Sequence, residues 1–167
     1  VEIKQVSMNI VNGNPAIAYI GKTNELRYVR SSNANGTAWN TPVYVERATN
    51  WLSPSSLFVA DGRPMIITRN ILNSGNKYLS MWRGSDVDGT AWGYYGEVES
   101  NSDYIWEYGF SCALIDGYPS VAYLDTSDYK IYFKRAITPD GDYWLNSPFE
   151  VSVGFLNYGG YLSLREV

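Results

Sequence analysis

The side chains with the most chemistry to offer recur at repeat spacing. Trp51 and Trp106 stand eleven residues before Gly62 and Gly117, and Asn50 and Tyr108 lie beside them. Tyr158, next to Asn157, takes the same place if Ser163 opens a further unit. A flat aromatic face beside amides and hydroxyls suits a sugar, whose ring stacks while its edge hydroxyls are hydrogen-bonded. Arg30, Arg83 and Arg135 form a second set, each ending a strand-like run before a polar turn that reaches Gly-x-x-Trp.

Other chemistries find less support. The 167 residues include no His, which removes the commonest general base together with Ser-His-Asp and His-metal arrangements. The acid pairs Asp86/Asp88 and Asp125/Asp128 have the residue type that glycoside hydrolysis needs, but they sit in short turns where acids ordinarily fold the backbone. No catalytic residue is assigned, and no metal site, since Asp86-Val-Asp88 offers few of the six or more oxygens calcium takes. No cofactor is expected. The single Cys112 lies in an apolar run and reads as a small packed residue.

Charge narrows the partners. With 13 basic and 17 acidic residues the chain carries a net charge of −4, so a phosphate-binding surface for nucleic acid is not expected. No apolar stretch is long enough to span a membrane as a helix. The start Val1-Glu-Ile-Lys lacks both an initiator Met and a signal peptide's apolar core, and suggests a processed or excised chain.

The elements that position these residues are set by an internal repeat. Gly36, Gly89 and Gly141 of the Gly-x-x-Trp turns are 53 and 52 residues apart. Ahead of each turn comes Asn12-Gly13, Asp61-Gly62 or Asp116-Gly117 between two apolar runs, a strong hairpin signal. Pro15, Pro64 and Pro119 follow where a strand begins, and Ser7, Ser56 and Ser111 stand six residues before the hairpin glycines.

In the second unit the strands are expected at Ser56–Ala60, Pro64–Thr68, Tyr78–Arg83 and about Tyr94–Glu99, with the serine opening the first. No segment sustains helical apolar spacing. The chain is therefore expected to be all-β, a β-propeller of about three four-stranded antiparallel blades plus one extra strand, incomplete as a single chain. The blades are expected at 1–51, 52–104 and 105–157, with 158–167 as the first strand of a further blade, all in one propeller domain.

The turns Arg30 to Trp39, Arg83 to Trp92 and Arg135 to Trp144 resemble the Asp box of sialidase-like propellers, Ser/Thr-x-Asp-x-Gly-x-x-Trp. All three match at Gly and Trp. The acidic or amide residue stands next to the glycine (Asn35, Asp88, Asp140), and the opening Ser is kept as Ser32 and Ser85 but replaced by Ile137. This is similar to variant Asp-box repeats strung together in secreted bacterial proteins. The resemblance implies that the turn lies between the third and fourth strands of a blade and that its Trp packs between blades. It also implies that ligands are held at the opposite face, among the 4-to-1 and 2-to-3 loops. True sialidases bind a carboxylate with a cluster of arginines, but Arg30, Arg83 and Arg135 repeat once per blade and would not converge.

The function expected on these grounds is a non-catalytic, lectin-like, extracellular or cell-surface binding module for carbohydrate or another surface ligand. Its site would comprise Trp51, Trp106, Tyr158, Asn50, Tyr108 and Asn157. The alternatives are a structural protein of an oligomeric ring, filament or viral appendage, and a fragment of a sialidase-like glycosidase. Three blades cannot close a ring, so a homo-oligomer or a longer propeller chain is expected.

Overall fold

The computed structural model describes residues 5–21, 23–47, 53–71, 77–99, 105–151 and 162–164. It contains three four-stranded antiparallel sheets, each a simple meander, and no helix among the described residues. The first blade comprises β1 (Gln5–Val11), β2 (Asn14–Ile20), β3 (Glu25–Arg30) and β4 (Val43–Arg47). The second comprises β5 (Ser53–Ala60), β6 (Arg63–Ile71), β7 (Lys77–Gly84) and β8 (Trp92–Glu99). The third comprises β9 (Ile105–Ile115), β10 (Tyr118–Asp125), β11 (Lys130–Arg135) and the short β12 (Phe149–Glu150).

Each blade starts from the same two-residue hairpin. The pairs Val11↔Asn14, Ala60↔Arg63 and Ile115↔Tyr118 close it, and both residues between them have positive φ, as in Asp61 at 48° and Gly62 at 68°. That backbone twists in the same sense as the strands, and Asn or Asp followed by Gly adopts it at least cost.

The core lies between blades. Alternation along β2 turns Ala16, Ala18 and Ile20 to one side, where with Tyr28 they meet Leu57 and Ile66 of the second blade. One residue out of phase, Met65 and Ile67 of β6 face the third blade's Val121 and Tyr123. The middle blade is thus buried on both faces, and most of β6 is out of water. On β1 the outward row Val6, Met8 and Ile10 is 55%, 67% and 55% exposed.

The serines have a different role from the one their position suggested. Ser7, Ser56 and Ser111 lie inside their strands, because β1, β5 and β9 begin earlier, at Gln5, Ser53 and Ile105. Ser7 Oγ accepts the Leu57 N–H at 2.9 Å, the Cys112 thiol is hydrogen-bonded to Ser56, and Ser111 Oγ accepts the Leu164 N–H at 3.0 Å. The hydroxyls tie each blade's innermost strand to the next. Residues 162–164 occupy the place on the third blade that β5 occupies on the first, though no strand pairing is formed by them.

Candidate functional site

The blades present two chemically different ends. One carries the two-residue hairpins together with the Gly-x-x-Trp turns: an added Cβ on Gly89 would lie 3.0 Å from Pro64, and one on Gly141 3.3 Å from Pro119. The other carries the 2-to-3 and 4-to-1 connections, of which 21, 23–24 and 126–129 are described.

At the turn end the third residue before the glycine folds the loop. Asn33 Oδ1 accepts the Thr37 N–H at 3.0 Å, and Asp86 Oδ1 accepts the N–H groups of Asp88 and Thr90 at 3.0 and 3.1 Å. The Thr90 hydroxyl bonds the other Asp86 oxygen, and this bond, followed by the backbone ones, holds the carboxyl below its ordinary range. The Trp side chain locks the loop, its indole N–H donating to the motif glycine's carbonyl: Trp39 to Gly36, Trp92 to Gly89 and Trp144 to Gly141, at 2.9–3.0 Å.

In the second and third blades the residue beside the glycine reaches across to the preceding blade, whereas Asn35 Oδ1 accepts from the Thr37 hydroxyl at 2.9 Å within its own turn and Asp140 Oδ1 also accepts the Asp142 N–H at 3.2 Å. Asp88 meets Arg30 at 3.2 Å and Asn12 at 2.9 Å, while Asp140 meets Arg83 at 3.7 Å and Tyr95 at 3.1 Å. Arg30 also donates to the carbonyls of Val11 and Asn12, and Arg83 pairs with Asp61 at 2.8 Å. Arg135 pairs with Asp116 at 3.5 Å and lies over the Tyr118 ring. A cavity of about 340 Å³ opens between blades here, lined in part by Tyr28, Arg30, Asn40 and Asp88. Its charged groups already pair with each other, so this end is used for joining blades.

At the other end a polar cluster bridges the second and third blades. Glu99, the last residue of β8, accepts from Lys134 Nζ at 3.1 Å and from the Tyr123 hydroxyl at 3.4 Å. The Glu99 and Lys134 side chains are 13% and 8% exposed, so the pair is largely withdrawn from water. Tyr123 stacks on Tyr132, with ring centroids 5.8 Å apart, and the Tyr132 hydroxyl donates to Asp128 Oδ2 at 2.5 Å. Two carboxylates therefore flank a stacked tyrosine pair, each accepting from one phenol.

The two phenols differ in setting. The hydrogen bond to Asp128, ahead of burial, pushes Tyr132 up to about 12, whereas burial is the chief cause that raises Tyr123. Sequence spacing places all of these residues within three strands and one turn: Tyr123 and Tyr132 are cross-strand partners on β10 and β11, and Asp128 lies in the turn between them. Asp125 is occupied differently, with Oδ1 accepting from the Ser127 N–H and hydroxyl at 2.7 and 2.6 Å. Lys130 and Glu150 form an exposed pair at 2.9 Å nearby.

The aromatic site expected from the sequence lies largely outside the described residues. Asn50, Trp51, Asn157 and Tyr158 lie outside the described residues. Trp106 and Tyr108 have their backbone in β9, and not in a 4-to-1 loop, because that strand runs back to Ile105, which pairs with Asp125. Their side chains are outside the described set. Sequence reasoning missed Glu99, Tyr123, Tyr132 and Lys134: Glu46 and Tyr19 hold the places of Glu99 and Tyr123 in the first blade, and only at the junction of the second and third blades do all four come together.

Two further observations concern the described residues. No group of three or more His, Cys, Asp or Glu is placed to hold a metal ion, and no helix is long and apolar enough to cross a membrane. Cys112 packs against the second blade's core, and burial pushes its thiol up to about 12, as expected of an unreactive side chain.

No protein-family model matches the chain, and no curated protein matches it. Solved structures do. The α-L-arabinanase of Penicillium chrysogenum, complexed with arabinobiose, is similar with a TM-score of 0.69 at 14% identity, over 92% of this chain and 50% of that one. An α-L-arabinofuranosidase from Fusarium graminearum gives 0.67 at 12% identity, over 89% and 48%. A polysaccharide lyase, an ulvan lyase, gives 0.62 at 11% identity, over 83% and 36%.

At these identities the likeness is one of fold, and with the three sheets it establishes an incomplete β-propeller. The chain spans about half the length of the arabinanase and the arabinofuranosidase. These neighbours overturn the expectation of a non-catalytic, lectin-like module: they are enzymes acting on carbohydrate, and the weight given to the missing His was misplaced. Glycosidic cleavage runs on two carboxyl groups and needs no imidazole.

Proposed function

We propose that the chain is a three-blade portion of a carbohydrate-active propeller enzyme that cleaves polysaccharide at the end remote from the Gly-x-x-Trp turns. The glycosidase-fragment alternative is the version of the sequence reading that this retains. The observation that carries it is the pair Glu99 and Asp128, each accepting from one tyrosine of a stacked pair at that end. The similar enzymes support the substrate class: one is described as an arabinanase with arabinobiose, another as an arabinofuranosidase, a third as an ulvan lyase.

The cluster offers the parts that glycosidic cleavage uses. One carboxyl group protonates the leaving oxygen while a second activates water or attacks the sugar. Asp128, in a turn and partly exposed, is the member that substrate reaches first. Glu99, backed by Lys134, supplies fixed negative charge against the positive charge that develops on the sugar. A phenol such as Tyr132 is also a competent proton donor, which suits an eliminative mechanism equally. Glycans are the proposed ligands, the variant Asp-box turn is the proposed blade signature, and an extracellular or cell-surface location accompanies a polysaccharide substrate.

Incubation with arabinan and with a sulfated, uronate-containing polysaccharide tests the reading, following new reducing ends and the ultraviolet absorbance of unsaturated products. Turnover of at least one substrate is expected, falling by about a hundredfold or more in Asp128→Asn and Glu99→Gln with the fold retained. Binding without turnover, or turnover untouched by both substitutions, would sink the enzymatic reading.

A further inference from the structure

The two internal junctions follow one pattern, and its two halves are repeated at the open faces of the chain. At each junction the preceding blade supplies a large side chain and an Arg, and the following blade supplies the Gly-x-x-Trp turn. Tyr28 lies under Gly89, with ring atoms 2.9 Å from where a Cβ would be, and Met81 lies under Gly141 at 3.1 Å. Arg30 reaches Asp88 and Arg83 reaches Asp140. Trp92 packs on Tyr28, with ring centroids 4.9 Å apart.

By the same spacing the third blade presents Phe133 and Arg135, eight and six residues before Gly141. The first blade presents the matching half: Asn35 beside Gly36, Trp39, and the outward row Val6, Met8 and Ile10 of β1. In that row Met8 occupies the place of Leu57, which is 3% exposed where the first blade covers it, against 67% for Met8. Trp39 is 42% exposed, whereas Trp92 and Trp144 pack into the junction cores.

We propose that the β1 face of the first blade docks on the third blade of a second copy of this chain, head to tail, and that two copies close a six-bladed ring. One observation favours a second copy. The open faces are complementary halves of a junction that the chain already makes twice. At the turn end the cationic Arg135 would meet the polar, uncharged Asn35 in place of an Asp, a contact that a single substitution can strengthen. The arrangement also makes residues 162–164 competitors, since Leu164 holds the Ser111 hydroxyl that the second copy's Met8 N–H would take.

Sedimentation velocity across the micromolar range tests this. A dimer is expected, tightened when 162–167 are removed. Met8→Asp or Arg135→Glu should each weaken it at least about tenfold, circular dichroism confirming that both variants fold. An equimolar mixture of the two variants should recover dimer, because one of its two junctions then carries neither change. Asn35→Asp should tighten association about threefold and make it salt-sensitive. A monomer with and without 162–167 overturns the proposal, as does a dimer that both substitutions leave intact. Failure of the mixture to recover dimer points to a symmetric contact through β1 alone and also overturns it. So does a longer natural polypeptide that buries Met8 while remaining monomeric.

Discussion

At the end of the blades carrying the Gly-x-x-Trp turns, every blade does the same thing with slightly different residues; at the opposite end the second and third blades do something found once. The turn end closes its loops with Asn33 or Asp86, fastens them with an indole N–H and ties blade to blade through Arg30–Asp88 and Arg83–Asp140. The opposite end holds Glu99, Lys134, Tyr123, Tyr132 and Asp128 in one polar cluster. Repetition marks what every blade needs in order to stack. A residue set found once marks what only one junction is asked to do, which is why it becomes the candidate site.

The sharpest way to break this comparison is to remove a charge from the unrepeated cluster. Lys134→Ala takes the ammonium away from the largely buried Glu99 carboxylate, and a loss of about 3 kcal/mol of unfolding free energy is expected in urea titration. Lys130→Ala, at the exposed pair with Glu150, should leave the midpoint unchanged within error. Equal effects would mean that the Glu99–Lys134 pair is no more withdrawn from water than its neighbour.

At the turn end one substitution made twice separates a covered blade from an uncovered one. Gly89→Ala forces a Cβ into a left-handed backbone at φ +72° and against the Tyr28 ring at 2.9 Å, costing about 2–3 kcal/mol. Gly36→Ala has a similar φ of +73° but in the single chain meets only Pro15 at 3.6 Å and Trp39 at 4.0 Å within its own blade, so about 1 kcal/mol is expected at concentrations that keep the chain monomeric. Thermal melts of the two variants measure the difference, and equal shifts would show that inter-blade contact at the turn contributes nothing.

The smallest effect concerns pH. Asp86 has a folded-state pKa held below the ordinary value, first by Thr90, so its charge stabilises the fold at neutral pH. That contribution is present above the unfolded carboxylate range and is lost as pH falls through the folded value. Asp140 behaves likewise, first through Thr138. Asp86→Asn, which lacks this charge, should therefore flatten part of the acid limb of a stability-versus-pH curve, lowering stability slightly near neutrality and meeting the parent curve at low pH. An acid limb that is the same in both proteins would remove Asp86 from the titrating set.

Much of the architecture was legible because it rests on local chemistry repeated at a fixed interval. Asn12-Gly13, Asp61-Gly62 and Asp116-Gly117 specify hairpins whatever surrounds them, and Gly36, Gly89 and Gly141 number the blades. Strand starts were less legible: β9 begins at Ile105 because pairing with Asp125 extends it, a long-range contact that no local signal announces. The division of labour in the turn was also hidden. Asn35, Asp88 and Asp140 all stand next to the glycine, yet Asn33 and Asp86 close their loops from two residues earlier while Asp88 and Asp140 cross to the preceding blade.

By itself the sequence determined the all-β class, the blade unit, the hairpins and the face given over to stacking, since these follow from backbone preferences and apolar alternation that act within a few residues. The tertiary structure alone decided that Glu99, from one blade, would meet Tyr123 and Lys134 of the next, and that the exposed row Val6, Met8 and Ile10 would match a buried row inside the chain. The physical reason is reach. Hairpin and turn energies are settled between near neighbours, whereas a buried charge pair between two sheets exists only once both sheets have folded and packed.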